Sequence, residues 1–97
     1  MISITRKLNN GLDIPLIGLG SNLRTSVDIV YNSIKSGVRL IDTFCGYHNE
    51  EYIGYGIKRA IDEKICKRED LIIIGKVWTR CRTDPKTALK KTLHIIT

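Results

Sequence analysis

The chain has 97 residues, which is enough for one small domain or for a piece of a larger one. A hydrophobic fraction of 42% excludes a disordered chain, and no apolar run approaches the roughly 20 residues of a membrane-spanning helix. The net charge of +6 comes from basic residues spread along the sequence, so we expect solvated helix faces and no nucleic-acid partner. Salt-dependent binding to random DNA would favour the alternative.

The three cysteines, Cys45, Cys66 and Cys81, are odd in number and lack the spacing of metal ligands or of a redox pair. We therefore expect reduced thiols, no metal and a cytoplasmic location. The N-terminus has no basic region followed by an apolar core, so a signal peptide is not expected.

A β-hairpin is predicted first, with strands at residues 4–8 and 12–14. Asn10-Gly11 between these strands suits a tight turn that needs positive φ. Residues 16–20 then predict a short buried strand that ends in glycine.

An amphipathic helix is predicted over residues 26–36, with Gly37 as its stop. Its apolar residues recur at the helical spacing i, i+3, i+4 and i+7 and are Val27, Val30, Tyr31 and Ile34. Residues 38–42 form the next predicted strand.

A second helix is predicted over residues 50–64, with Asn49 as its N-cap. Glu50 and Glu51 place negative charge where the helix dipole favours it. The predicted buried stripe of this helix consists of Ile53, Ile57, Ala60 and Ile61.

Gly54 and Gly56 each cost about 1 kcal/mol relative to alanine within a helix, which indicates that close packing requires them.

Residues 71–74 are apolar without alternation, which predicts a strand covered on both faces. Asp84-Pro85 predicts the N-cap and first position of a third helix. The apolar residues of that helix are Ala88, Leu89 and Leu93.

Strands that alternate with helices predict a parallel sheet with right-handed crossovers, as in a doubly wound sheet or a (β/α)8 barrel. The sequence after Gly18-Leu19-Gly20 lacks the third glycine of a dinucleotide-binding loop. Gly75-Lys76 lacks the other residues of a P-loop. Neither common nucleotide-binding motif is therefore expected.

Gly20, Asp42 and Lys76 lie at or just past the carboxyl ends of predicted strands. In a parallel barrel those ends meet on one face, so we expect an ion pair between Asp42 and Lys76, within reach of Tyr47. A lysine cation lowers the pKa of a nearby tyrosine from about 10, which favours proton exchange at neutral pH. Taken singly, Asp42 is better explained as an exposed loop residue, Tyr47 as a packing residue and Lys76 as a solvated one. The site hypothesis rests on their occurrence together at these positions.

Three stretches of the sequence resemble aldo-keto reductases. They match the opening of that family, the segment with its catalytic Asp and Tyr, and the stretch that ends in its catalytic Lys. In that order they are residues 8–20, residues 37–43 with 47–51, and residues 67–71 with 76–78. The spacing also agrees, with Tyr47 5 residues after Asp42 and Lys76 34 residues after it.

The resemblance implies an α/β fold, in which an N-terminal hairpin precedes the first three β/α units of an incomplete (β/α)8 TIM barrel. It implies a single partial barrel domain over residues 1–97. The hairpin is expected at about 3–15 and the β/α units at about 16–37, 38–65 and 70–97.

The resemblance also implies NADPH as cofactor and the reduction of small aldehydes or ketones to alcohols. Tyr47 would protonate the carbonyl oxygen, Lys76 would lower the pKa of that tyrosine, and Asp42 would anchor Lys76 and contact the cofactor ribose. The other implied contacts are Gly20, Ser21 and Asn22 at the nicotinamide end of the cofactor, and Trp78 with Tyr47 in the substrate pocket.

Several positions depart from the family pattern, including Asn22, Phe44 and Gly75. Phe44 stands where a small residue is usual and is expected to crowd the site. The catalytic His of the family lies on the following strand, and neither His48 nor His94 matches its motif. We therefore expect the isolated chain to be inactive. The alternatives are a truncated or degenerate gene product without a function of its own, and an interaction fragment that pairs with a full-length relative.

Overall fold

The computed structural model describes residues 4–21, 25–44, 50–77 and 83–96.

A β-hairpin begins the fold, as predicted, with strand β1 (Thr5–Lys7) antiparallel to strand β2 (Asp13–Pro15). The turn is closed by a hydrogen bond of 3.0 Å from the Gly11 amide to the Leu8 carbonyl. Within the turn only Gly11 has positive φ, at 88°, and the Asn10 side chain accepts a hydrogen bond of 3.0 Å from the Leu12 amide. The turn is thus a three-residue loop with one left-handed glycine.

Three short strands form a parallel sheet in the order β3 (Leu19–Gly20), β4 (Leu40–Asp42) and β5 (Ile72–Ile74). The prediction of a parallel sheet is therefore confirmed. The register aligns Gly20 with Asp42 and Asp42 with Ile74, so the last residues of the three strands form one row.

The two faces of the sheet have different surroundings, because successive side chains of a strand point to opposite faces. On one face Ile41 is fully buried, and Leu19 and Ile73 pack against the same core. On the other face Leu40 and Ile72 are only half-buried.

Two predictions about burial are wrong. The segment 16–20 is not a buried strand, because only its last two residues pair and Ile17 is 79% exposed. Strand β5 is not covered on both faces, since Ile74 is 38% exposed. Ile17 lies before the first residue of β3, and Ile74 lies on the face of the sheet opposite the helices.

Helix α1 (Val27–Lys35) follows its predicted boundaries. The Ser26 hydroxyl caps the N-terminus by accepting a hydrogen bond of 3.2 Å from the Ile29 amide. Gly37 ends the helix with a φ of 115°, a conformation that glycine adopts at low cost. Helix α1 buries three of its four predicted apolar residues, Val30, Tyr31 and Ile34, whereas Val27 in its first turn is only half-buried.

Helix α2 (Glu50–Asp62) packs between α1 and helix α3 (Pro85–Ile96), and a short 3₁₀ helix (Arg68–Asp70) precedes β5. The Asp84 carboxylate caps α3 through the Thr87 amide, at 3.2 Å. The apolar side chains of Leu89 and Leu93 on α3 are exposed.

The two glycines of α2 lie where neighbouring elements leave no room for a side chain. A Cβ atom on Gly54 would lie 2.7 Å from the carbonyl oxygen of Ile95 in α3. A Cβ atom on Gly56 would lie 2.7 Å from Cβ of Val30 in α1. The prediction that close packing requires these glycines is confirmed.

The Gly54 contact makes a direct prediction about stability. Gly54→Ala is expected to lower the free energy of unfolding by about 1–3 kcal/mol, because the methyl group meets rigid backbone and overpacking outweighs the gain in helix propensity. Gly75→Ala is the control, because in the part of the chain that the structure describes a Cβ there meets only Thr92, at 3.8 Å, and the change should stay within about 0.5 kcal/mol. Urea unfolding measures both values, and equal effects would show that the α2–α3 contact is not tight.

Candidate active site

The carboxyl end of the sheet brings Asp42 and Lys76 together. Asp42 ends β4, and Lys76 lies two residues beyond Ile74, so both side chains emerge on the face opposite the helices. Lys76 Nζ lies 2.7 Å from Asp42 Oδ1 and donates a second hydrogen bond of 3.2 Å to the Thr43 carbonyl. The predicted ion pair is confirmed, and it joins two strands at the edge where barrel active sites lie.

This ion pair is accessible to solvent, with the Lys76 and Asp42 side chains 42% and 41% exposed. The Phe44 ring lies beside it, with its centroid 5.9 Å from Lys76 Nζ, at the outer limit of a cation–π contact. The lysine is thus held by a carboxylate, a carbonyl and an aromatic ring. A half-exposed pair held in this way is reachable by a small ligand.

The end of β3 supports Asp42 through its backbone. The Ser21 amide donates a hydrogen bond of 3.1 Å to the Asp42 carbonyl, and the Ser21 hydroxyl donates to the same oxygen. Ser21 is only 2% exposed, so its hydroxyl acts on the protein backbone. Beside it, a Cβ built on Gly20 would meet no atom of the described residues within 4 Å, so these residues leave the end of β3 next to Asp42 open.

Three of the predicted site residues, Tyr47, Asn22 and Trp78, lie outside the described residues, as do Asn49 and His48. Their proposed roles therefore stay predictions. His94 lies exposed on α3, as expected of a residue that does not match the catalytic motif.

Glu50 is a buried acid that the sequence reasoning assigned only to the helix dipole. It is the first residue of α2, it is 5% exposed, and burial raises the pKa of its carboxyl. Thr92 donates a hydrogen bond of 3.3 Å to its Oε1, which opposes that rise in pKa. Its burial was predictable from the sequence, because Glu50 precedes Ile53 by three residues and Ile57 by seven and so extends the buried stripe of the helix.

Among the described residues, no group of three or more His, Cys, Asp or Glu side chains is placed to hold a metal ion. No helix in the part of the chain that the structure describes is long and apolar enough to cross a membrane.

No protein-family model matches the sequence. Among curated proteins, it is 54% identical over 81 residues to the NAD(P)H-dependent D-xylose reductase XYR1 of Pyricularia oryzae, covering 80% of this chain and 25% of that protein. It is 47% identical over 95 residues to the NAD(P)H-dependent D-xylose reductase I,II of Candida tropicalis, covering 92% of this chain and 29% of that protein. The chain thus spans about a quarter of the length of these relatives.

Solved structures agree with these sequence matches. The fold superposes on a Bombyx mori aldo-keto reductase in complex with NADP with a TM-score of 0.90 and 32% identity, covering 99% of this chain and 35% of that one. A second aldo-keto reductase, complexed with NADPH, gives a TM-score of 0.89 at 34% identity, covering 98% of this chain and 33% of that one.

The exposure of the Asp42–Lys76 pair predicts a small contribution to stability. Asp42→Asn is expected to change the free energy of unfolding by less than about 1 kcal/mol, because a solvent-exposed ion pair is weak. Ile41→Ala, one residue earlier and fully buried, should lose about 2–5 kcal/mol. Chemical denaturation compares the two, and a loss in Asp42→Asn as large as in Ile41→Ala would assign the pair a structural role.

Glu50 predicts a pH dependence of stability. Because its folded pKa is raised, the folded chain holds this proton more tightly than the unfolded chain does. The resulting stabilisation is fully present below the ordinary glutamate pKa of about 4.3 and is lost as pH rises through the folded pKa. The free energy of unfolding should therefore fall, relative to Glu50→Gln, over that pH range.

Proposed function

Because the chain belongs to the aldo-keto reductase family, we propose that it supplies part of the active site for NADPH-dependent reduction of aldehydes or ketones to alcohols. The observation that carries the proposal is the 2.7 Å contact between Lys76 Nζ and Asp42 Oδ1 at the carboxyl end of a parallel sheet. The fold match to a reductase complexed with NADPH supports the same assignment.

In this proposal Tyr47 donates a proton to the carbonyl oxygen of the substrate. The Lys76 cation lowers the pKa of the tyrosine hydroxyl, because a nearby positive charge favours the phenolate. Asp42 holds the lysine in orientation through the short ion pair. The Thr43 carbonyl fixes the same ammonium group from a second direction, so Lys76 has little freedom to turn away.

NADPH, when bound, would supply the hydride. The residues at the end of β3 fit such a ligand, because Gly20 leaves open space beside the Asp42 carboxylate, which is an acceptor for a ribose hydroxyl. Ser21 would hold Asp42 in place from behind, since its hydroxyl is already bonded to the Asp42 carbonyl. Asn22 next to the nicotinamide, and Trp78 in the substrate pocket, complete the proposal.

The substrate class we propose is a small polyhydroxy aldehyde, because the curated relatives are named D-xylose reductases. A cytoplasmic location is part of the proposal, and it is supported by the free, buried thiol of Cys66.

A second candidate function is that of an interaction fragment, and the open face of the sheet favours it. Leu40, Ile72 and Ile74 lie at least partly exposed on the face opposite the helices, next to the outer edge of β5. Unpaired strand edges pair readily with other chains. In this alternative the chain binds the remaining β/α units of a relative.

The isolated chain and a completed barrel are expected to differ in activity. Three strands do not close a barrel, so purified residues 1–97 should show no NADPH-dependent turnover of D-xylose. A chimera in which residues 1–97 replace the matching part of the Candida tropicalis reductase should reduce D-xylose. In that chimera, Tyr47→Phe and Lys76→Met should lower kcat roughly a hundredfold to ten-thousandfold, as expected when a general acid or its activating charge is lost.

The controls separate chemistry from folding. Lys86→Met, on the exposed surface of α3, should leave kcat unchanged in the chimera. A folded chimera without turnover, or one whose kcat survives Lys76→Met, would refute the proposed function. Binding of the isolated chain to the separately expressed remainder of the relative would support the second candidate.

A further inference from the structure

Burial of the Glu50 carboxyl is unfavourable in free energy, and an apolar residue at the same position would not have this penalty. The Glu50 carboxyl is buried, and Oε2 has no hydrogen-bond partner among the described residues. A buried polar atom without a partner is unfavourable, because it has lost its hydrogen bonds to water without replacing them. The next residue, Glu51, is exposed and meets the preference of the helix dipole for negative charge without burial. The helix dipole alone therefore does not account for Glu50.

Thr92 connects Glu50 to the residue before Lys76. Its hydroxyl donates to Glu50 Oε1, and its methyl carbon lies 3.8 Å from the position of a Cβ on Gly75. Thr92 is thus placed between the start of α2 and the end of β5. The backbone that leads into Lys76 is bounded on this side by α3.

The Glu50–Thr92 bond also fixes how α3 lies along α2. About one helical turn further along both helices, Gly54 packs against the backbone of Ile95 and Ile96. The two helices therefore run parallel and are in contact both here and at the Glu50–Thr92 hydrogen bond. The Glu50–Thr92 hydrogen bond joins the two helices at the level of Thr92, whose methyl carbon lies 3.8 Å from the position of a Cβ on Gly75.

We propose that Glu50 is a positioning residue for Lys76, acting through Thr92 and Gly75. Lys76 extends from beyond β5 to β4, where its Nζ lies 2.7 Å from Asp42 Oδ1, and Gly75 is the residue that joins it to β5. Glu50 itself touches no reacting group. The inference rests on the proposed function, because it gives Lys76 the role that Glu50 serves.

The test compares variants of Glu50 in the chimera that completes the barrel. Glu50→Ala should lower kcat about tenfold while the KM values for NADPH and D-xylose stay within about twofold, because binding groups are not moved. Glu50→Gln should recover most of the lost kcat, since its amide oxygen still accepts a hydrogen bond from Thr92. Glu51→Ala is the matched control and should leave kcat unchanged.

A second measurement does not depend on turnover. In lysine-labelled chimera, the nuclear Overhauser effect between the Lys76 side chain and the Asp42 methylene should weaken in Glu50→Ala and persist in Glu50→Gln and Glu51→Ala. Persistence of that contact in Glu50→Ala would overturn the inference even if the chimera has no activity. Equal loss of kcat in Glu50→Ala and Glu50→Gln would overturn it as well.

If Glu50→Ala fails to fold, Thr92→Val answers the same question, because it removes the hydroxyl and nearly keeps the shape of the side chain. It should reproduce the loss of kcat and the weakened Lys76–Asp42 contact. A Thr92→Val variant with unchanged kcat and an unchanged contact would overturn the inference.

Discussion

Gly20, Asp42 and Ile74 lie side by side in the last row of the parallel sheet, and the candidate site depends on this register. Because side chains alternate along a strand, a slip of one residue in β5 would turn Lys76 away from Asp42. The same register directs Ile41 into the core below the helices. Burial of one face therefore fixes the position of the ion pair on the other.

The helices hold this register from one side only. Gly56 leaves room for the Val30 side chain of α1, and Gly54 leaves room for the backbone of α3, so α2 packs closely against both neighbours. The opposite face of the sheet is at least partly open at Leu40, Ile72 and Ile74. The helices cover only one face of the sheet, and the chain spans about a quarter of its relatives' length. Helix packing thus explains the buried face, and in the proposed function the remaining β/α units of a barrel would complete the active site.

Much of the fold was predictable from local patterns. The helix boundaries followed from caps and stops such as Ser26, Gly37 and Asp84, because these act over a single turn of chain. The Asp42–Lys76 pair followed from the positions of strand ends. The exposure of Ile17 and Ile74 was not predictable, because burial depends on which other elements cover a strand. Glu50 was missed because its charge suggested solvent, although its place on the Ile53–Ile57 stripe indicated burial.

The central claim is that Asp42 and Lys76 form the charged half of a reductase site whose proton donor is Tyr47. A crystal structure of the completed barrel with NADP bound measures this most directly. The account predicts the Tyr47 hydroxyl within about 3–4 Å of Lys76 Nζ, with the Lys76–Asp42 contact retained. A Tyr47 hydroxyl that points away from Lys76, or a lysine that leaves Asp42 when the cofactor binds, would contradict it.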